Sequence, residues 1–189
     1  MKDTLEQGKL FYSQEKYKKA IKCFAKVIKH ESDTWRVFQA YDLSGESYCN
    51  LAMYDKAIEY CSQAIEIFLE LKKTPNYNEY KSIINKEVAN TYATRGHIYS
   101  CTAGKTEVDK QIKSKENYEE AVTLDPSRKK YQENLDITNK NIEIAKRNLE
   151  IQKSGEQPRC DLCGIQMKKE TLPGLSSWWW ACPKHGVED

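Results

Sequence analysis

Apolar and aromatic side chains recur along residues 4–32 at the three- and four-residue spacing of amphipathic helices. One periodic run ends near Phe11, the polar stretch SQEK follows, and a second run begins at Tyr17. Two such runs joined by so short a polar break predict an antiparallel helix pair. Gly8 in the first run and Ala20 in the second are small, as closely crossing helices require.

The same pattern returns in residues 41–68 at a constant offset of 37 residues, so that Gly45, Tyr54 and Ala57 stand in for Gly8, Tyr17 and Ala20. A looser third copy contains the sequence YATRGHIYS and closes with LDP, and about six residues are inserted between its helices. Internal repetition of a helix pair is typical of solenoid proteins, in which each pair packs against its neighbours.

These three segments resemble tetratricopeptide repeats. That family has small residues at the eighth and twentieth positions, aromatic residues at the eleventh, seventeenth and twenty-fourth, and proline near the thirty-second, and the first copy follows this pattern almost throughout. The resemblance implies an all-α fold, a right-handed array of helical hairpins over residues 1–152, with repeats at about 1–34, 38–73 and 79–126.

Residues 127–152 are predicted to form one long polar helix with a thin apolar stripe. Stacked repeats leave the last pair with an open apolar face, so a polar capping helix is needed there. A coiled-coil dimer helix is the alternative, although the stripe is irregular. The helices expected over 58–73 and 79–101 are longer than those of tetratricopeptide repeats, which also resembles the helical-hairpin arrays of vesicle-fusion adaptor proteins.

Four possible metal ligands follow a polar linker at residues 153–159: Cys160, Cys163, Cys182 and His185. Within each pair two residues separate the ligands, and eighteen residues separate the pairs. Such a gap lets two side chains of one tight turn reach the same ion, and two turns then supply a tetrahedral set. A shell closed by four protein ligands indicates a structural Zn²⁺ ion rather than a catalytic one, although iron also accepts these ligands.

Residues 160–189 resemble a zinc ribbon, with strands in IQMKKETL and SSWWWAC. So small a module buries too little apolar area to fold unaided, so the metal is expected to stabilise it. A redox-active CxxC motif is the competing interpretation, but such motifs begin a helix within an α/β fold. Trp178, Trp179 and Trp180 either pack inside the module or anchor a partner protein, since tryptophan is enriched at interface hot spots.

In the tetratricopeptide family the first helix of each pair lines a concave groove that takes peptides. Carried over by register, the resemblance gives a set of candidate groove residues: Lys9, Tyr12, Asp42, Glu46, Cys49, Asn50, Asn90, His97 and Ser100. The alternative is that these residues are solvated helix faces. Their mixed charge favours a basic or neutral peptide.

Chaperone-binding members of the family grip a C-terminal carboxylate with a clamp of Lys, Asn and Arg side chains. Here Leu5 and Leu43 occupy two of the clamp positions, and Asn90 and Thr94 replace the basic pair of the third repeat. The acidic residues of the second repeat would repel a carboxylate. The sequence therefore predicts no carboxylate-clamp binding to chaperones.

Composition narrows the classes of protein to which this chain could belong. The chain has 189 residues, of which 39% are hydrophobic and 31% charged, with a net charge of +2. This is a globular composition, and the charge is too small for nucleic-acid binding by charge alone. The N-terminus lacks a signal-peptide pattern and no apolar run approaches the length of a membrane span, so a cytoplasmic location is expected.

No phosphate-binding loop, nucleophile elbow or paired-carboxylate motif is present, so the protein is not expected to be an enzyme. The predicted function is that of a non-catalytic scaffold or adaptor that binds a peptide or helical segment and offers the zinc module as a second contact surface. The alternative is RNA or DNA binding through the ribbon, where Lys168, Lys169 and Lys184 accompany the tryptophan run, although the module is neutral overall.

Overall fold

The computed structural model of the protein describes residues 3–75 and 77–155, Gln166, and the backbone of three short strands further along the chain. The chain divides into two compact units, Met1–Ile142 and Glu143–Asp189. No helix in the described part is long and apolar enough to cross a membrane. The helices found there are α1 (Thr4–Ser13), α2 (Tyr17–His30), α3 (Thr34–Asn50), α4 (Tyr54–Leu71), α5 (Tyr77–Thr102), α6 (Val108–Leu124) and α7 (Lys129–Ser154).

Aspartate side chains cap the N-termini of two helices. The Asp3 carboxylate accepts a hydrogen bond from the Leu5 N–H at 2.9 Å, and the Asp33 carboxylate accepts from Trp35 and Arg36 N–H groups at 2.9 and 3.2 Å. These bonds satisfy N–H groups that have no partner inside a helix. Because of its cap, α3 begins four residues before the start expected for the second repeat.

The turns inside the first two helix pairs share one backbone conformation. Glu15 and Ala52 have φ angles of +57° and +55°, and they lie one repeat offset apart. In both turns the next residue donates its N–H to the carbonyl five residues earlier, at 2.9 Å. A non-glycine residue is disfavoured in this left-handed region, so its recurrence at the same position marks the two pairs as true structural repeats.

Glycines lie where the two helices of each pair cross. A Cβ atom added at Gly8 would lie 2.5 Å from the Phe24 ring, and one at Gly45 would lie 2.6 Å from the Cys61 sulfur. At Gly96 the nearest atom of α6 would be 3.1 Å away. The expectation that small residues permit close crossing is therefore confirmed at all three positions.

The core of the first unit consists of two clusters of buried side chains. The smaller cluster joins the first helix pair to α3 and contains Leu5, Ala20, Phe24, Val27 and Ala40. The larger cluster extends from Phe38 on α3 through α4, α5 and α6 to Tyr131 and Leu135 on α7.

Gly155 follows α7 with a φ of +68°, a conformation that glycine adopts without strain at a helix end.

In the second unit, three strands form one antiparallel sheet in the order β1 (Lys168–Thr171), β2 (Trp178–Cys182) and β3 (Gly186–Val187). Thr171 is paired with Trp178 at the end of the β1–β2 ladder nearest their connection. Strands β1 and β2 lie within the two segments that the sequence assigns to strands.

The side chains of the candidate metal ligands fall outside the described part of the chain. Cys160, Cys163 and His185 are not among the described residues, and for Cys182 and the run Trp178–Trp180 the description covers the strand backbone and not the side chains. The zinc site and the role of the tryptophan run therefore stay predictions.

Replacing Gly45 by alanine should destabilise the array, because the new methyl group would meet the Cys61 sulfur. We expect the free energy of unfolding to fall by about 1–3 kcal/mol in urea denaturation followed by circular dichroism. Gly104→Ala is the matched control, since a Cβ atom there meets the flexible side chain of exposed Glu107 at 3.2 Å.

Cys61→Ala removes the sulfur that the new methyl group would meet. The double variant Gly45→Ala with Cys61→Ala should therefore lose less stability than the sum of the losses in the two single variants. Additive losses would show that this contact does not set the helix spacing.

Candidate functional site

The first helices of the three pairs, α1, α3 and α5, are linked to one another through the carboxylate of Glu46. This side chain lies on α3 and accepts a hydrogen bond from the Tyr12 hydroxyl of α1 at 2.5 Å. It also accepts a bond from the Asn90 amide of α5. One acidic group therefore ties together three helices that are far apart in sequence.

A second chain of contacts crosses the same three helices. The Lys9 ammonium donates to the Gln39 side-chain carbonyl at 3.4 Å, and the Gln39 amide donates to the Glu87 carboxylate at 3.2 Å. Lys9 is also held by Glu6 in an ion pair of 3.0 Å. We call the surface that these two chains of contacts form the first-helix face, and its residues are Lys9, Tyr12, Gln39, Glu46, Glu87 and Asn90.

Asp42 lies beneath this face. The sequence predicts it as a groove residue, but the structure buries its side chain to 7% exposure, where it accepts a hydrogen bond from the Thr91 hydroxyl at 2.6 Å. Burial raises the pKa of the Asp42 carboxyl well above its ordinary value, and the negative charges of Glu46 and Glu87 raise it further. Asp42 therefore joins α3 to α5 as a structural contact.

The carboxylates of this region, Asp42, Glu46 and Glu87, form no direct ion pairs among the described residues. Burial and the hydrogen bond to Glu46 raise the pKa of Tyr12, so this hydroxyl stays protonated and keeps its role as a donor. The first-helix face therefore holds two acidic side chains, Glu46 and Glu87, and one basic side chain, Lys9.

The remaining predicted groove residues lie towards the C-terminal ends of α3 and α5. The Asn50 amide donates to the backbone carbonyl of Glu46 at 2.9 Å, and Ser100 is half-buried. Exposed His97 contacts the Cys101 sulfur through a ring nitrogen at 3.4 Å. None of these residues takes part in the hydrogen bonds between first helices.

Cys49 lies at this end of the face and is half-buried. Burial raises the pKa of the Cys49 thiol, and the neighbouring Cys101 and Glu46 add to that effect. A thiol with a raised pKa is a weak nucleophile and a weak metal ligand. Within the described residues, no group of three or more His, Cys, Asp and Glu side chains is placed to hold a metal ion.

Two residues of the first-helix face escape the register-based prediction. Gln39 lies two turns before Glu46 on α3, and Glu87 lies one turn before Asn90 on α5. A helical wheel of either helix would have placed them on the same side as the predicted residues, because positions three, four and seven apart share a face. The family register gave candidates near the middle and the C-terminal end of these helices and so left out both side chains.

Comparison with known proteins places the array in a fold class. Residues 38–70, which cover most of α3 and nearly all of α4, match the family model described as Tetratricopeptide repeat. A search of curated protein sequences finds no match to the chain.

Solved structures that share the fold include three TPR domains. The first TPR domain of Spaghetti (RPAP3) bound to the HSP90 peptide SRMEEVD has a TM-score of 0.53 and 18% identity, covering 72% of this chain and 88% of that chain. The first TPR domain of human RPAP3 has a TM-score of 0.56 and 17% identity, covering 76% of this chain and 93% of that chain. The second TPR domain of human RPAP3, in complex with the HSP70 peptide SGPTIEEVD, has a TM-score of 0.51 and 20% identity, covering 72% of this chain and 92% of that chain. The helical array therefore has the tetratricopeptide-repeat fold, as the sequence predicts.

Replacing Asp42 by asparagine should stabilise the protein at neutral pH. Because the pKa of Asp42 is higher in the folded than in the unfolded state, the native protein retains a proton that the unfolded chain releases. The contribution of Asp42 to stability is thus fully present below its unfolded pKa of about 4 and is lost as the pH rises through its folded pKa.

We therefore expect the Tm of Asp42→Asn to exceed that of the wild type by about 3 °C or more at neutral pH, with the difference shrinking towards pH ~4. Thermal unfolding followed by circular dichroism across this range measures it. Exposed Asp136 supplies the control variant Asp136→Asn, which should show no such trend. A difference that does not vary with pH would mean that the buried carboxyl is ionised.

Proposed function

We propose that this protein is a non-catalytic interaction scaffold that binds a peptide or helical segment in a groove lined by the first-helix face. The observation that carries the proposal is the excess of acidic side chains on the joined first helices of a tetratricopeptide fold, where Glu46 and Glu87 form no ion pair and Lys9 is the one cation of the face. The RPAP3 domains of the same fold are described as bound to HSP90 and HSP70 peptides. Such arrays therefore provide a precedent for peptide recognition.

The charge of the face favours a basic or neutral peptide over the acidic peptides SRMEEVD and SGPTIEEVD that accompany the RPAP3 domains. Glu46 and Glu87 would repel a C-terminal carboxylate, and Asn90 already donates its amide to Glu46. Leu5, which takes one of the clamp positions, is 1% exposed and belongs to the core, and Leu43 packs against the same cluster. Neither leucine offers a cation or a donor to a carboxylate. We therefore propose no carboxylate-clamp binding.

The C-terminal unit is proposed to be a structural zinc module that serves as a second contact surface. The support is the spacing of Cys160, Cys163, Cys182 and His185, together with an antiparallel sheet whose second strand ends at Cys182. Two ligand pairs that flank the strands of a small sheet along the sequence are typical of zinc ribbons. A cytoplasmic location is part of the same proposal, since the free cysteines of the array suit a reducing compartment.

A display library of random peptides selected on the full-length protein tests the groove. Selected peptides should carry net positive or neutral charge, and Glu46→Gln should weaken their binding about tenfold because it removes a charge-assisted contact. The peptides SRMEEVD and SGPTIEEVD should show no saturable binding. Exposed Glu66 on α4 provides the matched control Glu66→Gln. Selected peptides that bind wild type and Glu46→Gln equally would place the binding site elsewhere.

Elemental analysis of the purified protein tests the zinc module. We expect about one zinc ion per chain, with most of the metal lost in Cys160→Ser, because three remaining ligands hold the ion less firmly. Cys23→Ser in the array is the matched control and should keep its metal. Metal-free wild-type protein, or iron in place of zinc, would contradict this part of the proposal.

A further inference from the structure

The N-terminal part of α5 exposes two large apolar side chains. Ile83 is 62% exposed, the highest value among the large hydrophobic residues of the described chain, and Tyr80 is 51% exposed. They follow each other at a spacing of three residues and therefore lie near each other on one side of the helix. Isolated surface apolar residues are common, so their meaning depends on what lies around them.

Ile83 lies in line with the first-helix face. Glu87 and Asn90 follow it after four and seven residues, which places all three on one stripe of α5. Glu79 precedes Ile83 by four residues, so carboxylates stand one turn away on both sides of the apolar group. Because Glu87 and Asn90 contact Gln39 and Glu46 of α3, the apolar side chains continue the surface that those contacts form.

The charges around this apolar surface suit a basic partner. No ion pair of the described residues involves Glu46, Glu79 or Glu87. A cationic side chain placed between them would relieve the repulsion that also raises the pKa of buried Asp42. An apolar side chain next to it would cover Ile83 and Tyr80. An acidic partner or a nucleic acid would instead meet like charge.

We propose that the first-helix face takes a linear segment of a partner protein in which a lysine or arginine accompanies a large apolar residue. The apolar side chain packs on Ile83 and Tyr80, and the cation lies between Glu87 and Glu46. This inference rests on the proposed peptide-binding function and specifies its ligand.

The rise of an α-helix gives the spacing of the two side chains. Along α5, Ile83 is about 6 Å from Glu87 and about 10 Å from Asn90, which holds Glu46. An extended peptide advances about 3.3 Å per residue, so the basic residue lies two or three positions from the apolar one.

Four synthetic peptides of equal length test the inference by isothermal titration with the full-length protein. They carry a lysine three positions from a leucine, the lysine without the leucine, the leucine without the lysine, and a glutamate in place of the lysine. The first peptide should bind at least about tenfold more tightly than the others, since two contacts form instead of one.

Variants of the first-helix face and of the apolar side chains beside it test the apolar and the acidic contact separately. Ile83→Ser and Glu87→Gln should each weaken binding of the first peptide about tenfold. Ile137→Ser on α7, where the isoleucine is 55% exposed, and Glu66→Gln on α4 are the matched controls and should bind as the wild type does. Because all four side chains are exposed or half-buried, circular dichroism should show the wild-type Tm in each variant.

The outcomes separate this inference from the proposed function. Equal binding of the acidic or purely apolar peptide, or an Ile83→Ser variant that binds normally, would overturn the basic-and-apolar assignment while leaving peptide binding in place. A wild-type dimer that Ile83→Ser converts to a monomer in analytical ultracentrifugation would also overturn it, because a second copy would then cover the face. Absence of binding to all four peptides and to the display library would overturn the proposed function itself.

Discussion

Close backbone approach inside each helix pair is the constraint on which the rest of the structure depends. At Gly8 and Gly45 the facing helix comes so near that even one methyl group would overlap Phe24 or Cys61. Pairs that cross this closely present their first helices side by side, and polar side chains from three of them can then reach one another. The first-helix face is thus a consequence of how tightly the pairs are packed.

The polar contacts of that face join the helices without neutralising their charge. Glu46 is satisfied by neutral donors, the Tyr12 hydroxyl and the Asn90 amide, and Glu87 by the Gln39 amide. Neutral donors fix the position of a carboxylate but leave its charge to act on solvent and on any partner. Beneath the face, the hydrogen bond between the buried Asp42 carboxyl and Thr91 holds α3 against α5. The same side chains therefore hold the first helices together and give the first-helix face its charge.

The repeat register selected part of the first-helix face. It picked out Lys9, Tyr12, Glu46 and Asn90, and the structure brings these four together through hydrogen bonds or neighbouring contacts. The register could not show that Asp42 is buried. At this turn α3 faces α5, whereas other parts of α3 face solvent. The register also stopped short of Ile83, which lies in the helix expected over 79–101 but before the positions carried over from the family pattern. Binding of a partner by any of these residues stays a prediction.

The sequence by itself determined the local features of this protein. Apolar periodicity gave the helices, the offset of 37 residues gave the first two hairpins, and a looser copy of the same pattern around Gly96 gave the third, since all of these depend on residues near one another in the chain. Tertiary structure decided which side chains meet across α1, α3 and α5. Those partners lie 30 to 49 positions apart, and whether a carboxylate there is buried, bonded or exposed depends on helix spacing and rotation, which no local pattern specifies.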